Sequence, residues 1–315
     1  MQEALRILKE KREAQLILIN LVIVVLLTIF YPSSFPNPGN LRALGVGMVY
    51  DVLVAVGMTY VLILGGLDLS VGSNVALTSV VTTLLLAKWG IASVPVAITM
   101  GLGLSAAVGA INGAIITSFS LNPFIVTLGM MAIARGAARV LSAGFFITDL
   151  PKSFEILGNA SVFGIPLQII LTLVIIAVFD FLVRRWSILN QAYFVGTQPD
   201  NAETVGINVG RVIFVGFIIS GLFSGISAIF LSSHIGIGYS QFAGGMELRA
   251  LAAAVVGGAD FTGGKGSVWG TFLGVLLLAL VANGFVQVGL SAYWEQVVNA
   301  LILIIAIWAA SFSEK

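Results

Sequence analysis

Along this chain, long runs without charge alternate with short clusters of charge, Gly and Pro. Ala14–Leu41, Val52–Leu67, Leu69–Ala87, Trp89–Ala134, Ile156–Phe179, Val212–Met246, Gly266–Tyr293 and Gln296–Ser313 contain no Asp, Glu, Lys or Arg. A helix rises about 1.5 Å per residue, so roughly 20 apolar residues cross a hydrocarbon layer ~30 Å thick. Some of these runs are long enough for two crossings, or for one crossing and a loop. Inside lipid every backbone group must bond within its own segment, which leaves helices or a closed barrel. Period-two alternation is missing and Leu, Ala and Ile dominate, so the pattern predicts helices.

Turn chemistry sets the breaks. Pro32, Pro36, Pro38, Gly39 and Asn40 end the first run, Gly65 and Gly66 the second, and Gly90 to Pro95 a third. Asn122–Pro123 opens another helix, and residues 150–166 read as a polar loop. The predicted spans are 15–31, 42–64, 69–88, 93–117, 122–143, 167–186, 212–233, 245–259, 267–288 and 294–312. That is about ten. The eighth is short, and reads either as a full crossing or as a re-entrant half-helix.

Composition agrees. Of 315 residues, 58% are hydrophobic and 9% charged, against roughly 25% charged in soluble domains. A soluble globule, a disordered chain and a nucleic-acid binder are excluded, the last because 15 basic residues face 14 acids and leave no basic stripe. One His and no Cys remove zinc sites, iron–sulfur clusters, thiol chemistry and disulfides. The expected fold is an all-α, polytopic transmembrane helical bundle forming one domain over residues 1–315, with no cofactor. Gly264-Lys265-Gly266 fails the phosphate-loop pattern, since residue 259 is Ala and residue 266 Gly, so the chain itself hydrolyses no ATP.

Basic residues in short loops set orientation. Arg6, Lys9, Lys11 and Arg12 precede the first span, which puts segment 1–14 in the cytoplasm. Ten crossings return the C-terminus there, with Arg184, Arg185, Arg211, Lys265 and Lys315 inside, and Arg42, Lys88 and Lys152 outside. A cleaved leader fits poorly, because Glu3, Glu10 and Glu13 sit where a signal peptide is basic and no small-residue cleavage site follows.

The 36 glycines have a physical use, since helices in lipid meet by close approach at small residues. The run from Gly101 through Ser105 and Gly109 to Gly113 is expected to pack a helix in this way. Charges at membrane depth cost roughly 2.5–3.5 kcal/mol each on insertion scales, which singles out Asp51, Asp68, Arg135, Arg139, Glu247, Arg249 and Glu295. Asp68 lies in Gly65-Gly-Leu-Asp-Leu-Ser-Val-Gly-Ser73. It reads equally as an N-cap and as a broken helix lining a solute path. Gly257-Gly-Ala-Asp-Phe-Thr repeats the Gly-Gly-x-Asp-x-[Ser/Thr] pattern.

The longest inner loop, 187–211, contains Thr197-Gln-Pro-Asp-Asn-Ala-Glu-Thr-Val-Gly206. Thr197 and Asp200 stand at capping-box spacing, Pro199 suits a first turn and Gly206 a stop, so a short helix is expected. It serves either as a docking device or as a solvated connector.

These motifs resemble those of the membrane permease subunit of ribose-type ABC importers, which take up monosaccharides and related small polar solutes. The resemblance spans about residues 42–310. It rests on Gly65–Ser73, Gly109-Ala-Ile-Asn-Gly113, Asn122 through Gly136, the loop ending Gly206-Ile-Asn208, and Glu247 through Gly274. It implies a core of two permeases (a second copy or a homologue), ABC ATPase subunits inside, a solute-binding protein outside, and a bacterial-type cytoplasmic membrane with its lipid. The coupling segment toward the ATPase would be Asn201, Ala202, Glu203, Gly206 and Ile207. Departures from the usual pattern fall at Gln198, Asn201 (Asn201-Ala202 in place of Ala-Ala), Glu203, Val205 and Arg249.

Alternating access is then expected, with the solute path lined by Asp68, Ser70, Asn74, Asn112 and Asn283, whose polar groups exchange bonds with hydroxyls and release them. The competing class is an ion-gradient-driven secondary carrier, in which Asp68 and Asp260 would hold the ion. A membrane enzyme is disfavoured because no nucleophile–base arrangement is present.

Overall fold

The computed structural model describes residues 12–290 apart from residue 92, and isolated positions beyond. Among the described residues the chain is an all-α membrane bundle. Its elements are α1 (Arg12–Phe30), α2 (Pro38–Ile63), α3 (Val71–Ala87), α4 (Val94–Phe119), α5 (Pro123–Ser142), α6 (Lys152–Asn159), the strands β1 (Ser161–Val162) and β2 (Ile165–Pro166), α7 (Leu167–Arg185), α8 (Ser187–Thr197), α9 (Pro199–Thr204), α10 (Val209–Ile235), α11 (Met246–Val256) and α12 (Val268–Val288). Seven helices, α1, α2, α4, α5, α7, α10 and α12, are long and apolar enough to cross a membrane.

Starts follow local chemistry. Asn37 and Asn122 place a side-chain oxygen on the backbone N–H of Gly39 and Phe124, at 2.8 and 2.9 Å, with Pro opening each helix. Asn208 does the same for Arg211 at 2.8 Å, and Ser267 for Gly270 at 3.1 Å. Each bond satisfies a donor that the helix leaves orphaned. In both αL stops that end α4 and α5, Ser120 and Ala143, a non-Gly residue takes a positive φ of 51°.

Helices apolar all round belong inside. Nearly every residue of α3, the deeper two thirds of α2 and much of α10 are buried. Around them stand α1, α4, α5, α7 and α12, which turn Ile17, Leu21, Ile125, Ile133, Val174 and Phe181 outward. Such exposed apolar faces suit lipid rather than water. The Gly-rich run of α4 packs on α10 as its spacing implies. A Cβ at Gly109 would collide with the carbonyl of Phe217, and one at Gly113 would sit 3.0 Å from the Phe214 Cα. Gly103, in the same run, faces open space.

Two local expectations are corrected. Residues 150–166 are not simply a loop. α6 lies across the end of α10, with Asn159 Nδ2 donating to the carbonyls of Ser233 and His234 at 3.3 Å, and an antiparallel pair of two-residue strands follows. Too short to show periodicity, these pieces are invisible to pattern reading. The inner loop likewise holds two helices, α8 and α9. Thr197 closes the first, its hydroxyl donating to the Tyr193 carbonyl at 2.7 Å, so it makes no capping box; Gln198 begins α9. Gly206 stops the turn at φ +83° as expected. The predicted tenth span, with Glu295, falls almost wholly outside the described residues.

Candidate functional site: a broken span and the polar groups around it

The eighth predicted span is the unusual one. α11 has 11 residues, about 16 Å of helix and half a membrane. The stretch before it, 236–245, is not helical. Gly238 exchanges two backbone bonds of 2.9 Å with Ile147 and lies against the Thr83 side chain, while Ala243 and Glu247 meet Gly72 at the start of α3. The segment therefore runs down α3 by eleven residues before α11 begins. Irregular backbone at membrane depth is tolerated only where protein buries it or where it lines a cavity, and both hold here. Arg135 Nη1 donates to the carbonyls of Ser240 and Phe242 at 2.8 and 2.7 Å.

On its open side, Phe242, Ala243, Gly244 and Met246 line a cavity of about 230 Å³ with Tyr50, Asp51 and Arg249. Asp51 and Arg249 also line a neighbouring cavity of about 390 Å³ between α2, α11 and α12, which reaches Asn40 and Asn283. Asp51 Oδ1 and Arg249 Nη2 lie 3.3 Å apart. Asn40 and Asn283 bond reciprocally at 2.8 and 3.3 Å. The result is a vestibule with amides at one end, an ion pair midway and apolar walls between. It offers neutral donors and acceptors without a net charge.

Of the five residues expected on the path, only Asn283 lies here. The other four form a separate buried node. Asp68 Oδ1 accepts from the Ser70 N–H and hydroxyl at 3.0 and 2.6 Å, and Oδ2 accepts from Ser220 at 2.8 Å. Asn112 donates to the Ser70 hydroxyl at 2.9 Å, and Asn74 to the Ser105 carbonyl at 3.2 Å. Thr127 joins in, accepting from the Leu69 N–H at 3.2 Å and donating to the Leu67 carbonyl at 3.0 Å. Asp68 is 2% exposed and Asn112 fully buried. The node ties the break before α3 to α4, α5 and α10. Its missed members, Ser220 and Thr127, are ordinary small polar residues in apolar runs and carry no sequence signal.

The second Gly-Gly-x-Asp-x-[Ser/Thr] motif builds the same local turn. Asp260 Oδ1 accepts from the Thr262 N–H and hydroxyl at 3.0 and 2.9 Å, and its other oxygen pairs with Lys265 at 3.2 Å. Burial pushes this carboxyl up, but the Thr262 bonds and the Lys265 ammonium outweigh it and hold it below its ordinary value. The two aspartates engage different partners and share no site.

At the end of the bundle carrying α8 and α9, Ala202 is buried while Asn201, Glu203 and Gly206 are exposed and Ile207 is half-buried. Tyr193, Phe194, Thr197, Gln198, Asn201, Ala202, Val205 and Gly264 line a groove of about 440 Å³.

A multi-pass helical bundle with a broken span and a polar vestibule defines a membrane transport component. Residues 40–307 match the family described as branched-chain amino acid transport system / permease component, and the chain belongs to that family. It is 32% identical over 286 residues to the D-allose transport system permease protein AlsC of Escherichia coli (strain K12), covering 91% of this chain and 87% of that one. It is 32% identical to the ribose import permease protein RbsC of Bacillus subtilis (strain 168), covering 91% and 88%. It is 31% identical to the L-arabinose ABC transporter permease protein AraH of Azospirillum brasilense, covering 93% and 85%. No solved structure matches the chain. The chain is thus an ABC-transporter permease subunit, not an enzyme, and a multi-pass protein of the bacterial inner membrane. Permeases of this kind work in general with an ATPase and a solute-binding protein.

Proposed function

We propose that this permease imports a monosaccharide, delivered from outside by a binding protein and driven by ATPase subunits that engage the α8–α9 face. The carrying observation is that relatives named for allose, ribose and arabinose align over about nine tenths of the chain. The vestibule's chemistry supports it, since paired amides and a neutralised ion pair suit a neutral polyol better than an ion. A second permease, a copy of this chain or a homologue, completes the core.

Ten crossings with both termini in the cytoplasm remain the proposed topology. The eighth crossing is then made half of segment 236–245 and half of α11. Among the described residues, Arg12, Arg184, Arg185, Arg211 and Lys265 gather at the α8–α9 end, against Arg42, Lys88, Lys152 and Arg139 of the last turn of α5 at the other, which supports the first end as cytoplasmic. Solute would pass along Asn40, Asn283, Asp51 and Arg249. Asp68, Ser70, Asn74 and Asn112 would brace the fold behind that path. Asn201, Ala202, Glu203, Gly206 and Ile207 would meet the ATPase.

The test is reconstitution with the ATPase and binding protein in vesicles. Loaded binding protein should stimulate ATP hydrolysis, and D-ribose, D-allose or L-arabinose, offered in turn, should accumulate. Replacing Ala202 with Asp should abolish stimulation. Uptake that needs no ATPase and collapses with an uncoupler would overturn the reading in favour of a gradient-driven carrier.

A further inference from the structure

The proposed coupling face is joined to the interior at one small place. The last turn of α8 carries Gly196, whose Cα lies so close to the inner end of α2 that a Cβ there would collide with the Ile63 carbonyl oxygen and sit 2.6 Å from the Gly264 amide. From the other side, Gly264 N donates to the same Ile63 carbonyl at 2.8 Å. Cβ atoms built at Gly263 and Gly264 would meet the Gly196 backbone and the Thr197 side chain respectively. Two tyrosines fasten the same helix. Tyr60 of α2 donates its hydroxyl to the Leu189 carbonyl at 3.0 Å, and Tyr193 donates to the Gly266 carbonyl at 3.1 Å.

Three backbones meet here without an intervening side chain. Side chains can change rotamer and absorb a displacement, whereas backbone in direct contact cannot, so the junction is stiff. The 257–267 loop is stiff as well, closed by Asp260 N to the Lys265 carbonyl at 3.2 Å and by the Asp260–Lys265 pair. That loop joins α11 to α12, and α11 carries Arg249 of the vestibule. A push on α8 has a continuous rigid route to the broken span.

We propose that Gly196 and Tyr193 are positioning residues for transport: they lock α8 to the α2 end and to the 257–267 loop, so that the three move as one body and carry ATPase motion to α11. This rests on the α8–α9 face being where the ATPase docks, and the experiment separates the two ideas.

In the reconstituted importer, Gly196→Ala and Tyr193→Phe are compared with wild type for two readouts: the ratio of binding-protein-stimulated to basal ATP hydrolysis, and sugar uptake per ATP. Gly196→Ala should lower uptake per ATP about tenfold and Tyr193→Phe roughly threefold, the range that 0.5–2 kcal/mol of coupling allows. Co-purified ATPase is measured alongside. The chain has no Cys, so Thr197→Cys/Gly264→Cys adds a lock that closes once the backbones part slightly, a Cβ at Gly264 falling 3.1 Å from that of Thr197, inside the ~3.5–4.5 Å of ordinary disulfides. Oxidising it should leave uptake at the level of the reduced form, because the joined parts do not slide. Oxidation that stops uptake overturns the proposal, as do wild-type ratios in both single variants. Should the reduced double variant itself be inactive, the Tyr193→Phe ratio decides alone. If Ala202→Asp leaves the ATPase attached and stimulated, the docking reading fails instead.

Discussion

Asp51 and Arg249 are 198 residues apart in sequence, yet their side chains meet at 3.3 Å, each about a quarter exposed. One lies midway along α2, the other on the first turns of α11. Each would be costly alone at membrane depth. Together they cancel, and they do so on the wall of a cavity rather than in packed interior. In the proposed solute path, such a pair offers polar groups that hold a neutral solute weakly.

Asp51→Asn leaves Arg249 opposite a neutral amide. Because the pair is partly wet, the loss is smaller than for a fully buried pair, about 1 kcal/mol, or roughly fivefold in uptake rate. The double variant Asp51→Asn/Arg249→Gln should recover part of that loss, since no uncompensated charge remains. Uptake by equal amounts of folded permease in vesicles checks both. A double variant no better than the single would show that the charges act independently.

How far the sequence reads depends on how directly each feature follows from local chemistry. The nine helices predicted within the described residues are all present, with ends agreeing to within four residues, because charge-free length and Gly/Pro breaks follow from the bilayer. Asp51, Arg135, Glu247 and Arg249 were conspicuous as charges at depth. Their grouping was not legible, since it depends on segment 236–245 leaving the helix and turning back along α3. The Gly cluster at 236, 238, 244 and 245 was the available signal. Asp68 was conspicuous too, but a Gly-rich break before a helix looks the same whether it lines a path or braces a core. The bonds from Ser220 and Asn112, brought in from other helices, are the structural support for proposing the bracing role.

The Asp68 node predicts a stability effect. Asp68→Ala strands the Ser70 amide, the Ser70 hydroxyl and the Ser220 hydroxyl in a buried site, at about 3 kcal/mol or more. Asp68→Asn keeps an acceptor toward Ser70 and should cost about 1 kcal/mol. Thermal unfolding in detergent should therefore rank wild type, Asn and Ala in that order. Equal midpoints would mean that the node contributes nothing.

Two glycines six positions apart on α4, Gly103 and Gly109, make a matched pair. Gly109→Ala forces a methyl into the Phe217 carbonyl and must push α10 away, about 1–3 kcal/mol of overpacking. Gly103→Ala meets nothing within 4 Å and gains about 1 kcal/mol of helix propensity at most. The first should lower the unfolding temperature and the second leave it level or higher.

Asp260 carries a pH signature. Its carboxyl is held below the ordinary value of 3.8, so the folded state binds its proton less readily than the unfolded chain does. The stabilisation is therefore present above that value and is lost as pH falls through the lower folded one. Asp260→Asn should unfold earlier than wild type by a constant margin at neutral pH. The margin should shrink below about pH 4, provided the rest of the bundle survives there. A margin that stays unchanged below that point would assign the loop's stability to its backbone bonds alone.

Arg135 holds the broken span closed. Its Nη1 is the side-chain donor to both Ser240 and Phe242, and without it two carbonyls at membrane depth need another partner. Water is the available one, so Arg135→Ala should open segment 236–245 to solvent. With no native Cys, Ser240→Cys, at a position 1% exposed, reports this directly by its rate of labelling with a membrane-impermeant maleimide. The rate should rise about tenfold in the Arg135→Ala background, since 1.4 kcal/mol of lost hydrogen bonding shifts an opening equilibrium by that factor. Arg135→Lys should restore part of the protection, because both bonds come from one nitrogen and an ammonium supplies the same donors. Unchanged labelling in Arg135→Ala would mean that Ile147 and Gly72 alone hold the segment, and the guanidinium would lose its role as the clamp.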